Sequence, residues 1–199
     1  MLRTIVLCIF VILLTGCAVK QPSITEYKIE IEKFQKAKGS QQCKGKTLKV
    51  NQSFSDNTLM GTQMNYVVGK YKQYSFSKAI WNIPVNQMVT FYLTDMIDQL
   101  DIFKSVQSYK SITNDDYILQ SDIKDFKQYF SEDLQSSYVK VVIQISLIEK
   151  RSNSIIDSKS FSSIIQSETL DSYGGVKALN EALFNILQDT SLWINDICK

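Results

Sequence analysis

Four cysteines and no histidine set the chemistry open to this 199-residue chain. Without imidazole there is no Ser-His or Cys-His nucleophile pair and no histidine metal site. Paired carboxylates remain, Asp115 with Asp116 and Glu132 with Asp133. Both pairs sit in polar, turn-like stretches, where solvated loop carboxylates far outnumber catalytic pairs. Gly174-Gly175 alone is too short a signal for a phosphate loop. What is left is sulfur. Cys8 lies inside an apolar run, Cys17 stands where that run stops, and Cys43 and Cys198 belong to the chain beyond. A thiol at the exit of a greasy segment, behind the small residues Thr15 and Gly16, is placed for two events: cleavage of the chain between Gly16 and Cys17, and acylation of the sulfur.

The segment upstream supports that reading. Arg3 is its one charged residue, and Ile5 to Leu14 is an almost unbroken apolar run of about ten residues, too short to span a bilayer. A positive start, a short apolar core and a small-residue exit describe a secretory signal. Leu14-Thr15-Gly16-Cys17 resembles the lipobox of bacterial lipoproteins, in which the cysteine carries a diacylglycerol. Residues 1–16 are therefore read as a signal peptide, 17–25 as a lipidated tether and 26–199 as the folded domain. Removing 1–16 leaves 183 residues with 21 basic and 20 acidic side chains, enough for one domain. That balance points neither to nucleic acid nor to a polybasic membrane patch. With Ala18 and not Asp after the lipidated cysteine, the resemblance to Gram-negative lipoproteins implies the outer membrane, periplasmic face.

Periodicity supplies the elements that must carry any site. Tyr27, Ile29 and Ile31 alternate with charged residues in one strand, and Lys46 to Ser55 reads as a second. Asn65 to Trp81 crowds Tyr66, Tyr71, Tyr74, Phe76 and Trp81 around Gly69, which predicts a hairpin or bent strand pair. Two readings of these aromatics stay open, ordinary core packing and a strip that meets lipid or a partner. Pro84 opens a helix whose face carries Val85, Met88, Val89, Tyr92, Leu93, Met96, Ile97 and Leu100. Asn86, Gln87, Thr90, Thr94, Asp95, Asp98 and Gln99 are assigned to its polar side. After a short strand at "IFKSVQSY", three long ones form an antiparallel meander, with turns at Glu132–Ser136 and Arg151–Ser154. A last helix presents Val176, Leu179, Leu183, Ile186, Leu187 and Trp193. The expected fold class is a single α/β domain, a mixed and mostly antiparallel sheet with two main helices packed on it.

Taken in order, several blocks resemble the auxiliary lipoproteins of ABC-type transport systems, the group that includes the lipoprotein of the paraquat-inducible operon. They are the lipobox at Cys17, "YSFSKAIW" (Tyr74 to Trp81), Pro84 and Met88, "FKSV" (Phe103 to Val106), "DYIL" (Asp116 to Leu119), Phe126, and the late "GGVKALNEAL…LW" (Gly174 to Trp193). The resemblance spans essentially the whole mature chain. It implies a non-enzymatic accessory that works beside a transporter with a periplasmic subunit of the mammalian-cell-entry type, moving lipids or other hydrophobic molecules. On that resemblance Tyr74, Trp81, Pro84 and Phe103 are candidate partner contacts. One departure is Lys78-Ala79-Ile80 before Trp81, where relatives tend to carry Ser-Arg; this weakens the carry-over of contacts made through that arginine. No cofactor is expected beyond diacylglycerol and palmitate-type acyl chains on Cys17, and self-association is left open. The competing reading is an outer-membrane scaffold for envelope assembly, such as a peptidoglycan synthase activator or a secretion-pore-like protein.

Cys43 and Cys198 then stand as an even pair in an oxidising compartment, a disulfide candidate. Two thiols without histidine do not fill a tetrahedral metal shell. Unpaired thiols are the alternative.

Overall fold

A computed structural model describes residues 23–31 and 42–198. The lipobox, Gly16, Cys17 and most of the tether lie outside the described residues. In order, the elements are β1 (Thr25–Tyr27), β2 (Thr47–Val50), β3 (Phe54–Ser55), a 3-10 turn at Asn57–Leu59, β4 (Gln63–Val68) and β5 (Lys72–Trp81). Then come α1 (Val85–Leu100), β6 (Ser105–Ser108), β7 (Tyr117–Phe130), β8 (Ser137–Glu149), β9 (Ser154–Gln166) and α2 (Ser172–Ile197).

The three longest alternating runs pair with one another. β7, β8 and β9 form the antiparallel meander read from the sequence, with Leu119 opposite Leu147 and Ile143 opposite Phe161. The free edge of β7 is too long for any one of the remaining strands. Three short strands share it end to end, all parallel to it: β2 along Tyr117–Leu119, β3 along Asp122–Ile123 and β4 along Gln128–Phe130. β6 extends the sheet beyond β2, while β5 and then β1 extend it beyond β4. The longest pairings are therefore antiparallel, but the sheet is mixed.

Both helices pack on one face of the sheet. Every second residue of β8 from Val139 to Leu147 is fully or almost fully buried there. On that face of β7 the buried positions are Leu119, Ser121 and Ile123 before the register shift between Ile123 and Asp125, and Phe126, Gln128 and Phe130 after it; Asp125, at the shift, is buried as well. A bulge adds one residue to one strand, so the parity of the buried face changes across it.

Two strand readings are shortened. Backbone pairing of the first stops at Tyr27; Ile29 is buried instead by α1, where the Tyr92 hydroxyl donates to the Ile29 carbonyl at 2.7 Å. The Lys46–Ser55 strand breaks after Val50, because Ser53 turns its N–H to Thr90 Oγ1 at 2.9 Å and its hydroxyl to Ser121 at 2.7 Å. This also corrects the polar side assigned to α1. Asn86 and Thr90 are buried, and the Thr90 hydroxyl donates to the Asn86 carbonyl at 2.6 Å. Cys43 and Cys198 form a disulfide, with their Cα atoms 5.3 Å apart. It ties the turn before β2 to the C-terminal end of α2.

Candidate functional site

The β4–β5 hairpin collects most of the aromatics between Asn65 and Trp81. Gly69 takes φ +61° in its turn, and a Cβ there would come within 2.7 Å of the Glu132 side chain. Glycine therefore serves both the backbone and the close approach of the β7–β8 turn. Tyr66 lies opposite Tyr74, with ring centroids 5.5 Å apart and stacked. The Tyr66 ring also meets Phe76 at 4.5 Å and Phe130 edge-on at 5.4 Å. The cluster lies on the helix-covered face of the sheet near the first turn of α2: Tyr66 is beside Gln128, which Gly175 closely approaches. Phe130 is buried, Tyr66 and Phe76 are half-buried, and Tyr74 and Tyr71 stand 47% and 84% exposed. Such a gradient leaves an aromatic surface at one end of the molecule.

The four candidate contact residues separate under this geometry. Tyr74 is on the surface. Trp81 is 3% exposed and packs edge-on against Phe126 at 6.1 Å, and Phe103 is 4% exposed against Tyr117 at 6.3 Å. Both are core side chains in this fold and offer no surface to a partner. Pro84 caps α1 without a side-chain hydrogen bond; its ring sets the entry of the helix. The two readings of the aromatic segment thus divide by residue: Trp81 is core, while Tyr71 and Tyr74 face solvent.

The paired carboxylates do structural work. Asp116 accepts from the Thr47 N–H at 2.8 Å and from its hydroxyl at 3.1 Å, which holds its carboxyl below the ordinary aspartate range. Asp115 corrects the solvated reading of its pair: it is 5% exposed, with Lys49 Nζ at 3.5 Å. The same ammonium donates to the carbonyls of Ser111 and Thr113, so this ion pair locks the loop before β7. Glu132 and Asp133 are exposed. The Ser131 hydroxyl and the Gln135 N–H hold the Asp133 carboxyl low.

On the opposite face, Tyr129 stacks on Tyr138 at 5.3 Å and donates to Asp125 at 2.6 Å. Burial first, and then that carboxylate, push the Tyr129 phenol well above its usual range. An open cleft of about 320 Å³ beside α1 is lined by Ile29, Ile83, Met88, Phe91 and Tyr92.

Sequence reasoning missed three further apolar residues at the aromatic end. Leu134, in the β7–β8 turn, and Leu170 and Tyr173, at the start of α2, are each about half exposed. The hydrogen bond from the Ser167 N–H to the Ser137 carbonyl brings the α2 entry to this end of the sheet. Leu134, alone among polar residues in "SEDLQSS", was the available signal.

No family model and no curated protein matches the sequence. Among solved structures, the chain is similar to protein XCC0632 from Xanthomonas campestris, of family-model DUF330. The TM-score is 0.76 at 16% identity, covering 87% of this chain and 95% of that one. It is also similar to an uncharacterized protein, with a TM-score of 0.66 at 15% identity over 86% and 99% of the two chains. The hypothetical protein CT253 from Chlamydia trachomatis gives 0.51 at 9% identity over 78% and 98%. At these identities the likeness is one of fold. Among the described residues no helix is long and apolar enough to cross a membrane.

Proposed function

We propose that this protein is a lipid-anchored envelope lipoprotein that serves, without catalysing a reaction, as an accessory of an ABC-type system moving lipids or other hydrophobic molecules. Cys17 carries the lipid, and the outer membrane holds it, with the domain in the periplasm. The observation that carries the reading is the ordered set of sequence blocks. They fall at the joints of the fold: "YSFSKAIW" in β5, Pro84 at the entry of α1, "FKSV" before and into β6, "DYIL" opening β7, and the Gly174 block in α2. Gly175 illustrates why such a block is constrained, since a Cβ there would come within 2.1 Å of Gln128 Oε1 on β7. The partner on this reading is the transporter's periplasmic, mammalian-cell-entry-type subunit.

The test is mild co-purification of the lipidated protein from cell envelopes. Recovery of a transporter's membrane or periplasmic subunit is the expected result, together with sensitivity to detergents or hydrophobic toxins when the protein is deleted. Recovery of a peptidoglycan synthase with no transporter subunit would refute the reading in favour of an envelope scaffold.

A further inference from the structure

The direction of β1 relates the anchor to the rest of the molecule. β1 runs parallel to β5, with Thr25 beside Ala79 and Tyr27 beside Trp81. β5 itself starts at the hairpin turn, so the chain upstream of Thr25 leaves β1 heading toward that turn. The level of β1 along the sheet is fixed by Trp81, whose ring packs on Phe126. Phe126 is four residues from Phe130, at the hairpin end of β7, and nine from Tyr117, at the far end. At strand rise these are about 13 Å and about 30 Å. Eight residues separate Cys17 from Thr25, a contour of at most about 27 Å. The sulfur can therefore reach the plane of the hairpin turn with slack, but it cannot reach the far end of the sheet.

The reachable end carries exposed apolar groups, whereas the exposed Ile112 and Ile155 lie toward the far end, beyond the tether's reach. Tyr71, Tyr74 and Leu134 are each about half or more exposed, and Lys70 lies over the Tyr71 ring at 5.3 Å. Tyrosines with flanking lysines are the side chains that settle at a membrane–water boundary, ring inward and polar tip in the headgroups. The basic groups Lys70 and Lys72 share this end with Glu132, Asp133 and Glu168. Charge is therefore nearly balanced there, and the contact must come from the rings, not from attraction to anionic lipid.

We infer that the sheet end formed by the β4–β5 turn is the membrane-facing end of this protein, with Tyr71 and Tyr74 seated among lipid headgroups beside the acylated Cys17. The occupant is the lipid surface into which the anchor inserts. The inference rests on the lipid-anchor reading of Cys17. It adds a fixed orientation: the long axis of β7 and β8 stands away from the membrane, and the β8–β9 turn projects into the periplasm about 40 Å from it.

The test uses the full lipidated protein in phosphatidylcholine vesicles containing headgroup-nitroxide lipid. With Cys17 acylated and Cys43 bonded to Cys198, Tyr71→Cys or Arg151→Cys introduces a single free thiol for a fluorophore. Each labelled variant is first shown to melt as wild type does. The expected result is quenching several-fold stronger at position 71 than at 151, and unchanged by added salt. Vesicle-bound protein quenched equally, or not at all, at both positions overturns the orientation while leaving the anchor intact. Protein that carries no acyl chain and does not float with vesicles overturns the anchor reading and the orientation with it. A position 71 shielded by a co-purified transporter subunit, and not by lipid, also overturns the inference and makes the rings a protein contact.

Discussion

Breaking the Cys43–Cys198 bond tests how the two ends of this domain are held. The cysteines are 155 residues apart in sequence, so the bond closes almost the entire described chain into one loop. In the chain-entropy account the cross-link removes 2.1 + 1.5R ln n of unfolded-state entropy, which for a loop of this length is about 5 kcal/mol at 25 °C. In a domain of this size each kcal/mol moves Tm by about 2–4 °C, so losing the bond is expected to lower Tm by about 10–20 °C. Two variants separate the contributions. Reducing the wild-type protein keeps both sulfurs and removes the cross-link alone. Cys43→Ala with Cys198→Ala also empties space at two buried sites, 6% and 0% exposed, adding about 1 kcal/mol each. Thermal unfolding followed by circular dichroism reads both, and amide exchange in the last turns of α2 shows where the loss falls. A reduced protein melting within about 3 °C of the oxidised one would refute the reasoning. So would alkylation of both cysteines in denaturant without reductant.

Four further outcomes are expected. Cys17→Ser leaves an unlipidated precursor, read as loss of labelled fatty-acid incorporation; undiminished labelling would remove the anchor. Trp81→Ala empties a core site against Phe126 and is expected to cost about 3–5 kcal/mol by denaturant unfolding, whereas Tyr71→Ser on the surface stays within about 0.5 kcal/mol. Asp171 caps α2 by accepting from the Gly174 N–H at 2.9 Å, and that bond, followed by the Thr169 hydroxyl, holds its carboxyl below the ordinary range. Its folded pKa is lower than its unfolded one, so its stabilisation is fully present above the ordinary aspartate value, about pH 3.9, and is lost as pH falls below that value through the lowered folded one. Asp171→Asn keeps a cap but should flatten that acid limb, while Asp171→Ala costs about 1 kcal/mol at neutral pH. Tyr129, raised by burial and by Asp125, should stay protonated after the exposed tyrosines ionise in an ultraviolet alkaline titration, a lag that Tyr129→Phe removes.

The sequence determined what depends on neighbours a few positions away. The alternation of β7, β8 and β9, the turns between them and the apolar stripes of α1 and α2 all follow from local period and residue type. So does the Gly69 hairpin, because a left-handed turn needs a residue without a Cβ. Tertiary structure decided what depends on which strands meet. That Trp81 is core while Tyr74, seven residues earlier, is surface follows from their tertiary neighbours, buried Phe126 for Trp81 and half-buried Tyr66 beside the hairpin turn for Tyr74, and nothing in "YSFSKAIW" encodes which strands bring those neighbours. The burial of Asp115 needed Lys49 from another strand, and the polar face assigned to α1 lost Thr90 because Ser53 left its strand to bond it. The parallel pairing of β1 with β5 sets the direction in which the tether leaves. Three residues carry too little period to specify it; the register against Trp81, fixed by packing on Phe126, does.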